Sequence, residues 1–200
     1  MRRDLPGIGH NKGPAFSPGH SWRRHCWRRA RADLVGRRLP LEILRTRVAR
    51  ARELGLAYPT YASILLGSGR DIVGFLYTCD ALGLRLRRRL EMPEPVRAAL
   101  GAQVNCTRLA LAPEAEVPEA FRQELEAVSG LSFAAAGAPP PPVPWRAART
   151  ALRALVAQPG LPPRGVVLVG TRDAEAAWAD AADLARFLPA DEVFGAASAS

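Results

Sequence analysis

The sequence contains almost no lysine and no long apolar run. Lys12 is the only lysine among 28 basic residues. No stretch approaches the roughly 18 consecutive apolar residues that a membrane-spanning helix needs. After its first arginines the N-terminus continues into glycine and asparagine rather than an apolar segment, so we expect no secretory signal. Together these absences predict a cytoplasmic protein without a membrane span.

Cysteine and histidine are too few and too scattered to predict a disulfide framework or a metal centre. Cys26, Cys79 and Cys106 are odd in number and follow no pattern, which is typical of reduced thiols in the cytosol. The three histidines lie in the first 25 residues, at spacings that match no compact zinc finger. No Ser-His-Asp or GxSxG arrangement is present. We therefore predict no metal, no cofactor and no catalytic residue.

Length and composition predict one folded domain with a short appendage. The chain has 200 residues, of which 48% are apolar and 24% are charged, as in ordinary globular proteins. We predict a flexible basic arm over residues 1–20 and a single mixed α/β domain over residues 21–200, built from a small sheet with flanking helices. Its parts are a basic helical part, a proline-rich connection and a helix-strand-helix part, over residues 21–90, 139–144 and 145–200.

The positive charge is concentrated in the N-terminal half. Residues 1–100 hold 20 basic and 8 acidic side chains, whereas residues 101–200 hold 8 and 11. A GC-rich coding sequence explains why arginine replaces lysine, but it does not explain why the two halves differ. The asymmetry indicates a polyanionic partner, with nucleic acid first and an anionic membrane surface or an acidic protein partner as alternatives.

Two arginine-rich amphipathic helices are predicted to follow the arm. The first begins after Ser21 and the second after Pro40, and each places apolar residues at helical spacing on one face. Their other faces carry the arginines that we expect to contact phosphates. These residues are Arg23, Arg24, Arg28, Arg31, Arg45, Arg50 and Arg52.

Residues 41–66 resemble a helix-turn-helix DNA-binding segment. Ala51 is the small residue that such a segment has inside its first helix, and Gly55 follows four positions later at the turn. The inward apolar positions are filled by Leu56, Tyr61 and Ile64. The resemblance implies that Thr60 and Ser63 lie near base edges, while the flanking arginines contact phosphates.

An alternative interpretation is a small α/β enzyme or ligand-binding protein. Residues 64–71 and 167–173 each contain an apolar run, a glycine, a hydroxyl residue and Arg-Asp. Strand-turn-helix units have this pattern, and two such turns at one edge of a parallel sheet would form an anion site. That site would comprise the turns 67–71 and 170–173, with the candidate residues Ser68, Arg70, Thr171 and Arg172.

Acidic residues at these turns favour simple helix capping over anion binding. Asp71, Asp173 and Glu175 fall where the first turn of each following helix is expected. Negative side chains there satisfy the positive end of a helix and repel an anion. Capping is therefore the first expectation for both turns.

The segment between residues 60 and 90 is ambiguous in its secondary structure. Tyr61–Leu66 fits either a short helix that begins at Pro59 or a buried strand, and Ile72–Thr78 fits either a strand or a helix. Leu84–Leu90 is basic and amphipathic, which favours a helix. The remaining segments predict strands at 107–111, 131–133 and 165–170, and helices at 95–100, 118–128, 145–156 and 172–188.

The charge asymmetry predicts salt-dependent binding to duplex DNA or RNA. If about six phosphates are neutralised, the affinity should fall by about 10³ between 50 and 200 mM salt, because bound counterions are released. Fluorescence anisotropy with a labelled duplex at several salt concentrations measures this slope. Salt-independent binding, or no binding at 50 mM salt, would contradict a nucleic-acid partner.

Overall fold

The computed structural model describes residues 39–86, 90–141 and 145–195. Within these ranges the chain forms seven helices and seven strands. The helices are α1 (Leu41–Glu53), α2 (Tyr58–Ser68), α3 (Glu94–Ala102), α4 (Pro118–Ser129), α5 (Trp145–Ala157), α6 (Asp173–Ala182) and α7 (Ala190–Phe194). The strands are β1 (Gly74–Thr78), β2 (Arg85–Leu86), β3 (Leu90–Glu91), β4 (Thr107–Leu111), β5 (Ala135–Gly137), β6 (Val166–Gly170) and β7 (Arg186–Pro189).

Residues 41–200 form one compact unit, separate from the unit that ends at Pro40. The predicted arm over residues 1–20 and the predicted helix after Ser21 lie outside the described residues. No boundary falls at residues 139–144, so the compact unit continues across the proline-rich connection. None of the helices in the described ranges has the length and apolar character needed to cross a membrane.

Five strands form one parallel sheet with helices on both faces, which confirms the mixed α/β class. The strand order is β5-β4-β1-β6-β7. The first strand of the sheet, β1, is therefore the central one. Strands β4 and β5 follow on one side of it, and after a crossover β6 and β7 follow on the other side. This is the order of the first five strands in a doubly wound sheet, and its topological switch point lies between β1 and β6.

Strand β1 is the central strand of the sheet, and both of its faces carry apolar side chains. All five of its residues are buried. Phe75 and Tyr77 belong to one apolar core, whereas Leu76 belongs to the core on the opposite face. A parallel strand with two apolar faces has to be covered by helices on both sides and paired at both edges.

The helices divide between the two faces according to the direction of each crossover. The face of Phe75 and Tyr77 is covered by α1, α2, α3, α4 and α7, and the face of Leu76 is covered by α5 and α6. Helices that connect β1, β4 and β5 thus lie on one side, and those that connect β5, β6 and β7 lie on the other. This arrangement follows from right-handed crossovers on the two sides of a switch point.

The structure resolves the ambiguous segment as one helix followed by one strand. Pro59 lies at the start of α2, and Gly69, with a φ of +71°, ends it in the left-handed conformation. Residues 64–71 are therefore the end of a helix and a loop, whereas residues 167–173 are a strand and a turn. The expected similarity of the two segments is wrong, because Ile64 packs in the core as part of a helix.

Three further expectations from periodicity are wrong. The predicted helix over residues 84–90 is not formed at its ends, because Arg85 and Leu86 of β2 pair antiparallel with Leu90 and Glu91 of β3. The last strand before the prolines is β5, and residues 131–133 only lead into it. Helix α6 ends at Ala182 because Asp183 adopts a φ of +57°, and the following residues pair with β6 as strand β7.

Trp178 on α6 packs partly buried against the core of the Leu76 face. Trp178→Ala should lower the free energy of unfolding by about 2 kcal/mol, less than the roughly 3–5 kcal/mol of a fully buried ring. Trp145→Ala is the matched control: its side chain is 53% exposed, so its change should stay within about 0.5 kcal/mol. Urea unfolding measures both, and equal effects would show that α6 does not cover the sheet.

Candidate ligand site at the switch point of the sheet

The carboxyl ends of β1 and β6 lie side by side at the switch point. Tyr77 of β1 is in register with Val169 of β6, so the chain leaves both strands at the same edge of the sheet. Asp80 lies in the turn after β1, and Arg172 lies in the turn after β6. Doubly wound sheets bind their ligands in the crevice at this position. We call the turns 79–83 and 170–172 the switch-point loops.

An ion pair connects the two switch-point loops. Arg172 Nη2 lies 2.5 Å from Asp80 Oδ2, and the side chains are 69% and 44% exposed. An ion pair in such contact with water contributes at most about 1 kcal/mol. A ligand can therefore separate the two side chains at small cost and bind both of them.

A buried carboxylate fixes the shape of the loop after β6. Glu175 is 4% exposed, and its Oε2 accepts hydrogen bonds from the backbone N–H groups of Thr171 at 2.8 Å and Arg172 at 3.1 Å. The backbone N–H of Glu175 donates in return to the carbonyl oxygen of Arg172 at 2.9 Å. The loop is therefore held in place before any ligand binds.

Glu175 also limits which backbone hydrogen-bond donors of this loop are available to a ligand. The backbone N–H groups at the start of α6 are the donors that a phosphate would use at a helix N-terminus. The two backbone N–H groups immediately before the helix, from Thr171 and Arg172, already bind the Glu175 carboxylate. The expected capping role of Glu175 is confirmed, and the Arg172 guanidinium is the cationic group left for an anion.

The turn after β1 is tight and its thiol is unreactive at neutral pH. The backbone N–H of Ala81 donates to Thr78 Oγ1 at 3.2 Å, and the Thr78 side chain is buried. Burial, together with the neighbouring charge of Asp80, raises the pKa of Cys79 to about 11. Only the thiolate is nucleophilic, so Cys79 is protonated and inert at neutral pH.

The structure does not bring the two sequence-predicted turns together. Residues 67–71 precede β1, whereas residues 170–173 follow β6, so they lie at opposite edges of the parallel sheet. The Ser68 hydroxyl donates to the carbonyl oxygen of Arg70 at 2.9 Å and accepts from its backbone N–H at 3.2 Å. Ser68 and Arg70 therefore shape a local turn, far from Thr171 and Arg172.

Arg50 connects α1 to the loops at the opposite edge of the sheet. Its Nε donates to Asp71 Oδ2 at 2.9 Å, and its Nη1 donates to Glu53 Oε2 at 2.8 Å. Its Nη2 donates to the carbonyl oxygens of Ile72 at 2.8 Å and Asn105 at 3.1 Å. The Arg50 side chain is 17% exposed. Four of its five N–H donors bind groups within the domain, so it is not free to bind a phosphate in this conformation.

The charges around Arg50 stabilise one another. Burial opposes the charge of Arg50, but hydrogen bonds to Glu53 and Asp71 outweigh this effect and raise its pKa. The hydrogen bond from Arg50 lowers the pKa of Glu53. Tyr61 donates to Asp71 Oδ1 at 2.9 Å, and burial, followed by this hydrogen bond, raises the pKa of Tyr61 to about 12. Asp71 thus connects α1, α2 and the start of β1 instead of capping a helix.

The other helix-turn-helix candidates lie on α1 and α2. Ser63 Oγ accepts from Arg186 Nη1 at 2.5 Å and donates to the carbonyl oxygen of Thr60 at 2.8 Å. Arg45 and Arg52 are both exposed on α1, and Arg45 Nη1 pairs with Glu42 at 3.0 Å. The remaining candidates, Arg23, Arg24, Arg28 and Arg31, lie outside the described residues.

Asp80 is a candidate site residue that the sequence analysis did not identify. Its signal is its position, since it is the first charged residue after the apolar run Ile72–Thr78. This position predicts a site residue only if the apolar run is a parallel strand, and periodicity does not distinguish a strand from a helix in this run. Within the described ranges, no group of three or more His, Cys, Asp or Glu side chains is arranged to hold a metal ion.

Comparisons with protein-family models, with curated proteins and with solved structures gave no match to this chain.

Gly170 provides the space that the Glu175 carboxylate occupies. A methyl group at Gly170 would lie 2.0 Å from Glu175 Oε2 and 2.8 Å from the ring of Phe187. Gly170→Ala should therefore lower the free energy of unfolding by about 2–3 kcal/mol. Gly67→Ala on α2 is the control: nothing lies within 4 Å, and alanine favours the helix by up to about 1 kcal/mol. Urea unfolding compares them, and a neutral Gly170→Ala would show that Glu175 does not fill this space.

Proposed function

We propose that the protein binds a small anionic molecule at the switch-point loops. The observation that carries this proposal is the Asp80–Arg172 ion pair, which joins the loop after β1 to the loop after β6. Arg172 supplies a planar guanidinium, the group best suited to bind a carboxylate or a phosphate. Asp80 supplies an acceptor beside it.

The ligand class follows from what the loops offer. Glu175 occupies the backbone N–H groups of Thr171 and Arg172, so the charged donor that these two loops offer to an anion is the Arg172 guanidinium. An anion alone would also be repelled by the carboxylate of Asp80. A ligand that carries a hydroxyl or amino group beside its anionic group satisfies both side chains. Hydroxy acids, amino acids and sugar phosphates share this chemistry.

A ¹H–¹⁵N NMR titration tests the site with ribose 5-phosphate, glycolate, glycine and inorganic phosphate as probes. At least one of the first three should shift the amide signals of residues 79–81 and 171–172 more than phosphate does. Arg172→Gln should weaken that binding about tenfold or more, because the variant cannot form a hydrogen bond from a charged group.

Arg45→Gln is the matched control for Arg172→Gln. Arg45 also forms an exposed ion pair, with Glu42 on α1, and it is outside the switch-point loops. Its removal should leave the titration unchanged. Shifts that persist in Arg172→Gln, or no shift at these loops with any probe at millimolar concentration, would contradict the proposal.

Nucleic-acid binding is the second candidate function, and the exposed side of α1 favours it. Arg45 and Arg52 are seven positions apart and thus lie on one stripe of the helix. Residues 1–38, immediately before α1, hold ten basic and two acidic side chains. Because α2 contains no basic side chain and Ser63 binds Arg186, we propose phosphate contacts by α1 rather than base reading by α2. The salt dependence of duplex binding tests this function.

A further inference from the structure

The first turn of α5 exposes a tryptophan. Trp145 is 53% exposed, in contrast to the partly buried Trp178. The residues that attach α5 to the domain lie on its other face, where Leu152, Leu155 and Val156 are buried. Trp145 is thus exposed to solvent at the start of a helix whose other face packs on the core, and it contributes little to that core.

The arginines beside Trp145 have no compensating carboxylate. The Arg149 guanidinium carbon lies 5.8 Å from the centre of the Trp145 ring, and Arg146 is exposed next to it. Helix α5 contains no acidic residue. In the part of the chain that the structure describes, neither Arg146 nor Arg149 forms an ion pair.

Other helices of the domain neutralise their exposed arginines locally. Glutamates three positions earlier pair with Arg45, Arg97 and Arg122 on α1, α3 and α4. On α5 the position three residues before Arg149 is occupied by Arg146, a second cation. The face formed by Trp145, Arg146 and Arg149, which we call the α5 surface, therefore combines an exposed indole with two uncompensated charges.

We propose that the α5 surface binds single-stranded nucleic acid. The indole of Trp145 stacks on an unpaired base, and Arg146 and Arg149 bind phosphates of the same strand next to that base. Proteins that bind single strands without sequence preference combine these two features, an aromatic platform and a basic track. The binding site is distinct from the switch-point loops and does not depend on the function proposed for them.

The composition of the surface favours a single strand over other polyanions. A duplex keeps its bases stacked inside, where an indole on a helix surface does not reach them, so unpaired bases are required. The other exposed side chains on α5 are small, among them Thr150, Ala151 and Ala154. They provide no broad apolar face that would enter a membrane.

Fluorescence anisotropy with a labelled twelve-nucleotide oligothymidylate tests the proposal on the full chain. Trp145→Ala should weaken binding by about tenfold or more, and Trp145→Phe should recover part of the affinity, because a smaller ring still stacks. Tryptophan emission should be quenched by the oligonucleotide, and less so in Trp145→Phe. The double variant Arg146→Gln/Arg149→Gln should reduce the salt slope by about 0.7 for each phosphate that it no longer binds, as expected for a single strand.

Val117→Ala is the matched control for an exposed apolar side chain. Val117 is 67% exposed, but Glu114, Glu116 and Glu119 surround it in the sequence, so its removal should not change binding. Circular dichroism and the melting midpoint verify that Trp145→Ala is folded.

Three results would overturn the proposal. The first is a folded Trp145→Ala that binds the oligonucleotide as the wild type does. The second is complete loss of binding in Arg45→Gln/Arg52→Gln alone. The third is binding of polyglutamate that equals oligonucleotide binding and is insensitive to Trp145, which would indicate an acidic protein partner instead.

Discussion

The burial of β1 on both faces constrains most of the structure. An apolar strand of this kind is stable only when neighbouring strands take up its backbone hydrogen bonds and helices cover both of its sides. Its neighbours are β4 and β6, which come from residues 107–111 and 166–170. Two helical layers then follow, because the side chains of a strand alternate between its faces.

The same constraint creates the switch-point site. Asp80 and Arg172 are far apart in the sequence, and they meet because the strands before them are parallel neighbours. The site is therefore a consequence of strand order. Local features refine it: Gly170 leaves room for the Glu175 carboxylate, and that carboxylate holds the backbone of Arg172 in place.

The arginines of this chain have at least three different physical roles. Arg50 connects elements within the domain, since its donors are divided among two carboxylates and two carbonyl groups. Arg172 forms an exposed ion pair across the switch point, where a ligand can replace its partner. Arg149 lies beside an exposed indole and has no acidic neighbour on its helix. Composition alone treats these side chains as equivalent positive charges.

The packing of α1 and α2 in the domain also changes how the helix-turn-helix resemblance is interpreted. The two helices and the turn at Gly55 are present, and the inward apolar positions do pack in the core. However, α1 and α2 cover one face of the sheet, and Ser63 is bound to Arg186 of β7. A helix pair with this pattern is thus compatible with simple packing in an α/β domain. Its exposed arginines, Arg45 and Arg52, are the part of the resemblance that still indicates a polyanion.

Elements with strong local signals could be predicted from the sequence without the structure. Helices α1, α4 and α5 follow from apolar residues at helical spacing, and β4 and β6 follow from short apolar runs between turn residues. The expected mixed α/β class follows from their alternation. Strand β7 escaped detection because Leu184 and Leu188 have helical spacing, although Asp183 ends the helix before them.

Which segments meet in space became clear from the tertiary structure alone. Whether Ile72–Thr78 is a strand depended on the partners on both of its edges, and these are distant in the sequence. The sequence predicted that Thr171 and Arg172 lie in a turn at one edge of the sheet, and that the turn over residues 67–71 lies beside it. The structure places Asp80 there instead. Strand pairing is a non-local interaction, and local periodicity therefore carries no information about which loops share one edge of the sheet.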